Sequence, residues 1–135
     1  LAPLEGLSNG IVVVDGSMAG VGVVAEPIRI VVEAGYATDI SGGPEAKRLL
    51  ELLAPHGKNG RNVAEFGIGT NDKAILSGVI LEDEKVMGTV HIAFGDNKSM
   101  GGTVRVASHL DGMVKHPTVW LDELKIMEAG QLLDA

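Results

Sequence analysis

Hydrophobic and polar residues alternate along three segments, and each segment places an acid or an imidazole opposite an apolar face. In residues 62–68, for example, Glu65 lies opposite Phe66 and its apolar neighbours. Because successive side chains of a strand point to opposite faces, this alternation predicts three strands with one apolar and one polar face. The predicted strands and their polar residues are 62–68 with Glu65, 88–94 with His91, and 103–111 with His109 and Asp111.

A different period marks one good helix, over residues 44–54. Its apolar residues recur every three or four positions, Pro44 suits the first helical position, and Pro55 ends the segment. The remaining elements are shorter and are bounded by glycine. They are strands at 10–14, 28–33, 36–40 and 118–121, a hairpin over 123–133, helical turns at 72–76 and 81–87, and a loop at 95–102.

These elements predict an α+β fold with a mixed, mostly antiparallel curved sheet that could close into a partial barrel, and two or three helices. A chain of 135 residues is the size of a single domain, 1–135, with one real core. The 45% of hydrophobic and 21% of charged residues are typical of a globular protein.

Composition and charge exclude several classes of function. The net charge is −7 and no basic stripe is present, which argues against nucleic-acid binding. The chain has no cysteine, so it offers neither a disulfide nor a thiolate ligand or nucleophile. Its apolar runs are too short to cross a bilayer and no signal peptide is visible, so we expect no membrane partner and a cytoplasmic location.

The polar residues of the three strands suggest a metal site. Two carboxylates and two imidazoles are hard and borderline ligands, suited to Zn²⁺, Co²⁺ or Mn²⁺. A single histidine on a strand is more often a hydrogen-bonded structural residue than a ligand, but here the polar face recurs in three segments. We therefore predict that the four side chains converge on one site. They are Glu65, His91, His109 and Asp111.

Three stretches resemble the thermophilic metallo-aminopeptidases of the aminopeptidase T and aminopeptidase S type. They are residues 64–71, 88–97 and 109–111, in matching order and with similar gaps. The resemblance extends over nearly the whole chain and implies the C-terminal, metal-binding domain of a two-domain peptidase. The chain begins at Leu1 without a methionine, so we expect it to be a piece of a longer protein.

The resemblance also implies roles for individual residues. It makes Glu65 a catalytic and metal-bridging carboxylate, and His91, His109 and Asp111 ligands of two divalent metal ions (Zn, Co or Mn). Lys98 stands where the better-known enzymes have a catalytic tyrosine and could supply positive charge to an oxyanion. A further family glutamate would fall upstream of Leu1, so we expect weak metal binding and little activity from this chain alone.

The expected function is therefore a metal-dependent aminopeptidase that removes N-terminal residues from peptides and works as a homodimer. Two alternatives stay open at this point. One is a metal-binding or oligomerisation domain of the same fold without enzymatic activity. The other is a metal-dependent hydrolase that acts on a non-peptide substrate.

Overall fold

The fold is α+β and mostly antiparallel, as predicted from the sequence. The structure is a computed structural model that describes residues 1–134. Its strands are β1 Gly10–Val14, β2 Ser17–Met18, β3 Gly22–Val23, β4 Ile28–Glu33, β5 Tyr36–Ser41, β6 Val63–Ile68, β7 Thr89–Gly95, β8 His109–Lys115, β9 Val119–Leu121, β10 Leu124–Glu128 and β11 Gln131–Leu132. Its helices are α1 Pro44–Leu53, α2 Gly57–Gly60 and α3 Ile80–Asp83, with 3₁₀ turns at Ala54–His56 and Lys98–Met100.

The strands form three antiparallel sheets. The largest has the order β3-β2-β8-β7-β6, and the two smaller ones have the orders β1-β4-β5 and β11-β10-β9. Within the described residues none of the sheets closes into a barrel. No helix among residues 1–134 is both long enough and apolar enough to cross a bilayer.

One face of the five-stranded sheet is covered by two hydrophobic clusters. Towards one end, Phe94 packs with residues of β1, β4 and α1, where Leu49 is fully buried. Towards the other end, Val90 packs with Val119 and Met127 from the β9–β11 sheet. These clusters cover the face that carries the apolar residues of β7, so the opposite face is left for the polar ones.

A β-bulge in β6 decides which face Glu65 occupies. Val63 pairs with Phe94, yet Glu65 pairs with Ala93, so Ala64 is the extra residue. Without this extra residue, Glu65 would pair with Ile92 and point towards the hydrophobic clusters. Bulges re-aim side chains in this way and often lie beside functional sites.

The structure corrects three sequence predictions. The strand predicted over 103–111 begins only at His109, because the backbone of residues 103–108 bonds to the preceding loop instead of to a strand. No helix forms at 72–76, and the helical turn lies at Ile80–Asp83. Trp120, whose large apolar side chain predicts a core position from the sequence, is 54% exposed.

Candidate metal centre

The candidate site lies on the polar face of the central strands β6, β7 and β8. Glu65 and Asp111 flank Ala93 directly, one from each neighbouring strand. His91 lies two residues before Ala93 and therefore on the same face. The small side chain of Ala93 leaves space between the two carboxylates.

Glycines lie opposite both histidines in the sheet, and one of them makes room for an imidazole ring. Gly67 lies opposite His91 in the neighbouring strand, and a Cβ atom on Gly67 would fall 2.1 Å from Nε2 of the imidazole ring. Gly95 lies opposite His109, at the position where β7 ends and β8 begins. The ring of His91 can thus lie across β6 only because residue 67 has no side chain.

The four side chains predicted from the sequence converge. Nε2 of His91 lies 3.3 Å from one oxygen of Glu65, and Nε2 of His109 lies 3.1 Å from the other. Nε2 of His109 is also 3.5 Å from Oδ2 of Asp111. Single ligand atoms of Glu65, His91 and Asp111 all lie within 4.8 Å of one another, so these three could hold one metal ion.

The hydrogen bond on the far side of the His109 ring fixes which ring nitrogen faces the carboxylates. Nδ1 of His109 lies 2.7 Å from the backbone carbonyl of Asp96, which can only accept, so Nδ1 carries a hydrogen and donates it. In the neutral ring Nε2 then has no hydrogen, and its lone pair faces the carboxylate oxygens of Glu65 and Asp111. Three acceptors facing one another repel unless a proton or a metal ion lies between them.

In the absence of metal, a proton fills this role. The hydrogen bond with Asp111, together with the Asp96 carbonyl and the charges of Asp111 and Glu65, raises the pKa of His109 to about 9, although partial burial opposes this. A metal ion would replace that proton on Nε2. A metal-binding histidine usually donates its other ring N–H to a carbonyl or carboxylate, as Nδ1 of His109 does here.

The buried groups on the other side of the site fit a metal in the same way. Asp111 is only 6% exposed, and its Oδ1 has no hydrogen-bond partner among the described residues. A buried carboxylate oxygen with no donor is costly, and a bound cation would compensate it. The donor set therefore fits a divalent ion.

A large groove belongs to a different surface. It has a volume of about 810 Å³ and is lined largely by apolar side chains. Glu65 and Gly67 contribute to its lining, but Phe66 and Ile92 line it from the face opposite His91. The groove thus runs along the edge strand β6, on the other side of the sheet from His91, His109 and Asp111.

Lys98, the other candidate catalytic residue, lies in the 3₁₀ turn after β7. Its backbone N–H donates to Oδ1 of Asp96 at 3.1 Å, and its side chain is exposed. Within residues 1–134 its ammonium group has no hydrogen-bond or ion-pair partner. The catalytic role of Lys98 stays a prediction.

Sequence reasoning missed Gly67 and Asp96. A glycine inside a strand often marks a close approach of another group, so the sequence did carry a signal for Gly67. The backbone carbonyl of Asp96 has no such signature, because any residue could supply it.

Comparison with known proteins places these residues in a family. The family model NicX, described as 2,5-dihydroxypyridine 5,6-dioxygenase, matches residues 1–134. The structure of a 2,5-dihydroxypyridine dioxygenase from Pseudomonas putida KT2440 has the same fold, with a TM-score of 0.88 at 22% identity. The match covers 99% of this chain and 42% of that one, so this chain spans less than half the length of the solved protein. No protein of curated function matches the chain.

The family match overturns the resemblance to the metallo-aminopeptidases. The predictions of a peptidase, of a peptide substrate and of a metalloprotease activity are wrong, because the whole described chain matches a dioxygenase family. The homodimer stays a prediction, because neither the fold nor the family match tests it. The error has a physical cause: carboxylates and histidines on a sheet face identify a metal site, and the same ligands serve many reactions.

Proposed function

This chain belongs to the NicX family, and we propose that it supplies the iron centre of a dioxygenase that acts on a hydroxylated pyridine ring. The observation that carries the proposal is the convergence of two imidazoles and two carboxylates on one sheet face. Two histidines with one carboxylate form the facial triad of non-haem Fe(II) oxygenases. Peptide hydrolysis needs no such redox metal, whereas the use of O₂ does.

His91, His109 and Asp111 would hold the iron. Nε2 of both histidines faces the site. Asp111 contributes a buried carboxylate whose Oδ1 accepts no hydrogen bond from the described residues. One ion takes the place of the predicted pair, because two histidines and one carboxylate already complete a facial triad and leave Glu65 for another role. When bound, ferrous iron would supply the one-electron and O₂ chemistry that organic side chains lack.

Glu65 would serve as the base of the site. Its side chain is 21% exposed, against 9% for that of Asp111, so it is the carboxylate that an incoming substrate can reach. A ring hydroxyl that binds next to Glu65 could give up its proton to that carboxylate. Deprotonation makes the ring more electron-rich, which favours its oxidation.

The strands around the site fix the positions of these groups before substrate arrives. Antiparallel pairing holds β6, β7 and β8 in register over the ligand residues, so little rearrangement is needed on binding. Ala93 keeps the floor of the site between the two carboxylates free of a large side chain. A flat aromatic ring can therefore approach the ligand residues without displacing one of them.

The direct test is oxygen uptake with 2,5-dihydroxypyridine. The protein is loaded with Fe²⁺ without air, mixed with the compound, and then exposed to O₂ in an oxygen electrode while the ring absorbance is followed. We expect loss of the ring absorbance with consumption of one O₂ per molecule of substrate, both abolished by a chelator. Incorporation of ¹⁸O from ¹⁸O₂ into the product would establish dioxygenation.

Two variants make the test specific. H91A removes a proposed ligand and should abolish iron binding and oxygen uptake together. H56A removes a histidine of the 3₁₀ turn at Ala54–His56, which takes no part in the ligand cluster, and should leave both unchanged. Iron binding without any O₂-dependent loss of the pyridine would refute the proposed substrate class. Oxygen uptake that survives in H91A would refute the ligand set.

A further inference from the structure

Asp96 stands directly behind the imidazole of His109. It follows the last residue of β7, and its backbone N–H continues the ladder by donating to the carbonyl of Ser108 at 2.8 Å. Its own carbonyl then accepts from Nδ1 of His109 at 2.7 Å. The orientation of the ring therefore depends on where the backbone of Asp96 lies.

The side chain of Asp96 fixes that backbone. Oδ1 accepts from the N–H of Lys98 and Oδ2 accepts from the N–H of Val106, each at 3.1 Å. One carboxylate thus joins the start and the end of the loop that connects β7 to β8. If the carboxylate is removed, two backbone donors lose their acceptor and the loop is free to move with the carbonyl.

The backbone of the preceding residue, Gly95, is tightly constrained. Gly95 has a φ of +123°, and a Cβ atom there would lie 2.1 Å from the carbonyl oxygen of Ser108. The side chain of Asn62 donates to the Gly95 carbonyl at 3.0 Å from the other side. The backbone before Asp96 is therefore fixed by Gly95, and the carboxylate of Asp96 fixes the backbone that follows.

We propose that Asp96 is a positioning residue for the metal ligand His109: its carboxylate holds the loop so that its carbonyl fixes Nδ1–H and aims Nε2 at the metal site. The proposal rests on the proposed function only in taking His109 as a ligand. Asp96 does not reach the site itself. It acts through the orientation and tautomer of the imidazole, as partners on the outer nitrogen of metal-binding histidines do.

The test compares D96A and D96N with the wild-type protein. D96A loses both acceptors, whereas D96N keeps one. Titration with Co²⁺ should show affinity falling by about 10- to 100-fold in D96A, the usual cost of an outer-shell partner, and by less in D96N. In the metal-free protein well above pH 9, where the ring of His109 is neutral, the ¹⁵N signals of His109 should show Nδ1–H fixed in the wild type and mixed tautomers or faster exchange in D96A.

A double-mutant cycle separates positioning from a general structural effect. If Asp96 acts through His109, D96A should cost no Co²⁺ affinity in an H109A background. An additional loss of similar size in that background would overturn the proposal, as would unchanged ¹⁵N signals of His109 in D96A. Wild-type Co²⁺ affinity in H109A would instead refute the ligand set of the proposed function, and the ¹⁵N comparison would still decide the role of Asp96.

Discussion

Replacing Gly67 by alanine should remove His91 from the metal site. The added Cβ would lie 2.1 Å from both Cε1 and Nε2 of the ring. Ordinary contacts between carbon atoms are about 3.5 Å or longer, so the ring would have to retreat by more than about 1 Å. Metal–ligand distances tolerate only about 0.2 Å, so a ring displaced this far no longer coordinates.

The expected effect on metal binding is large. Losing even an outer-shell partner costs about 10- to 100-fold in affinity, and G67A removes a ligand, so we expect a loss of about 100-fold or more. That factor corresponds to about 2.8 kcal/mol of binding free energy. Overpacking should also lower the free energy of unfolding by roughly 1–3 kcal/mol. Calorimetric titration with Fe²⁺ under anaerobic conditions and urea denaturation measure the two effects.

Two controls separate the clash from a general disturbance of the sheet. Gly112 lies on the opposite face, where an added Cβ would lie 2.7 Å from Cγ2 of Val14. G112A should therefore lower stability and leave iron affinity unchanged. In an H91A background, G67A should no longer be destabilising, because the ring that it strikes is gone. Wild-type iron affinity in G67A would refute the placement of His91 in the site.

Three further predictions concern acid stability, a buried carboxylate and proton release. The backbone N–H of Thr103 helps to lower the pKa of Glu5 from 4.5 to about 2, so the stabilisation by Glu5 should be complete above pH 4.5 and disappear as the pH falls towards 2. A melting-temperature difference between wild type and E5A that stays constant over this interval would contradict it. Asp83 is fully buried, and its carboxylate accepts hydrogen bonds from Oγ of Ser17 and from two backbone amides. D83N replaces one of the accepting oxygens by an NH₂ group, so it should lower the free energy of unfolding, measured in urea, by roughly 2 kcal/mol. An unchanged free energy of unfolding would contradict this prediction. The pKa of metal-free His109 is raised to about 9, so a metal ion that binds at pH 7 should displace a proton from this ring. Calorimetry in buffers of different ionisation enthalpy measures the proton release. No release would show that the metal does not replace a proton on His109.

The strand pattern carried most of the information about the ligand face. Alternation alone placed Glu65, His91 and the His109–Asp111 pair opposite apolar residues, and the structure brings these side chains together. Alternation could not show the bulge at Ala64, because a bulge is defined by the partner strand. The sequence thus predicted that Glu65 lies in the site, but it did not predict the bulge at Ala64 that places Glu65 there.

The connection between β7 and β8 shows a second limit. Val104 and Val106 alternate with polar residues, which predicted an early start of β8. Their backbone donors instead bond to the side chains of Asn97 and Asp96. Side chains that bond to the backbone compete with strand pairing, and the apolar period does not reveal that competition.

The reaction was the part that the ligand pattern could not predict. The same imidazoles and carboxylates suit a hydrolytic zinc site and an oxygen-using iron site, because both metals accept these donors. Only the family match, over residues 1–134, argues against the hydrolytic site, and the proposed oxygen-using site rests on that match.

The pairing of β6, β7 and β8 gives a bound ion a second role, as a check on strand alignment. A slip of one residue between β7 and β8 would turn Asp111 to the face opposite His91 and split the ligand set. Only the correctly aligned sheet can bind tightly, so metal binding would draw misaligned chains towards the native register by mass action. In such a fold the ion that serves the chemistry also selects the native register of the strands that bind it.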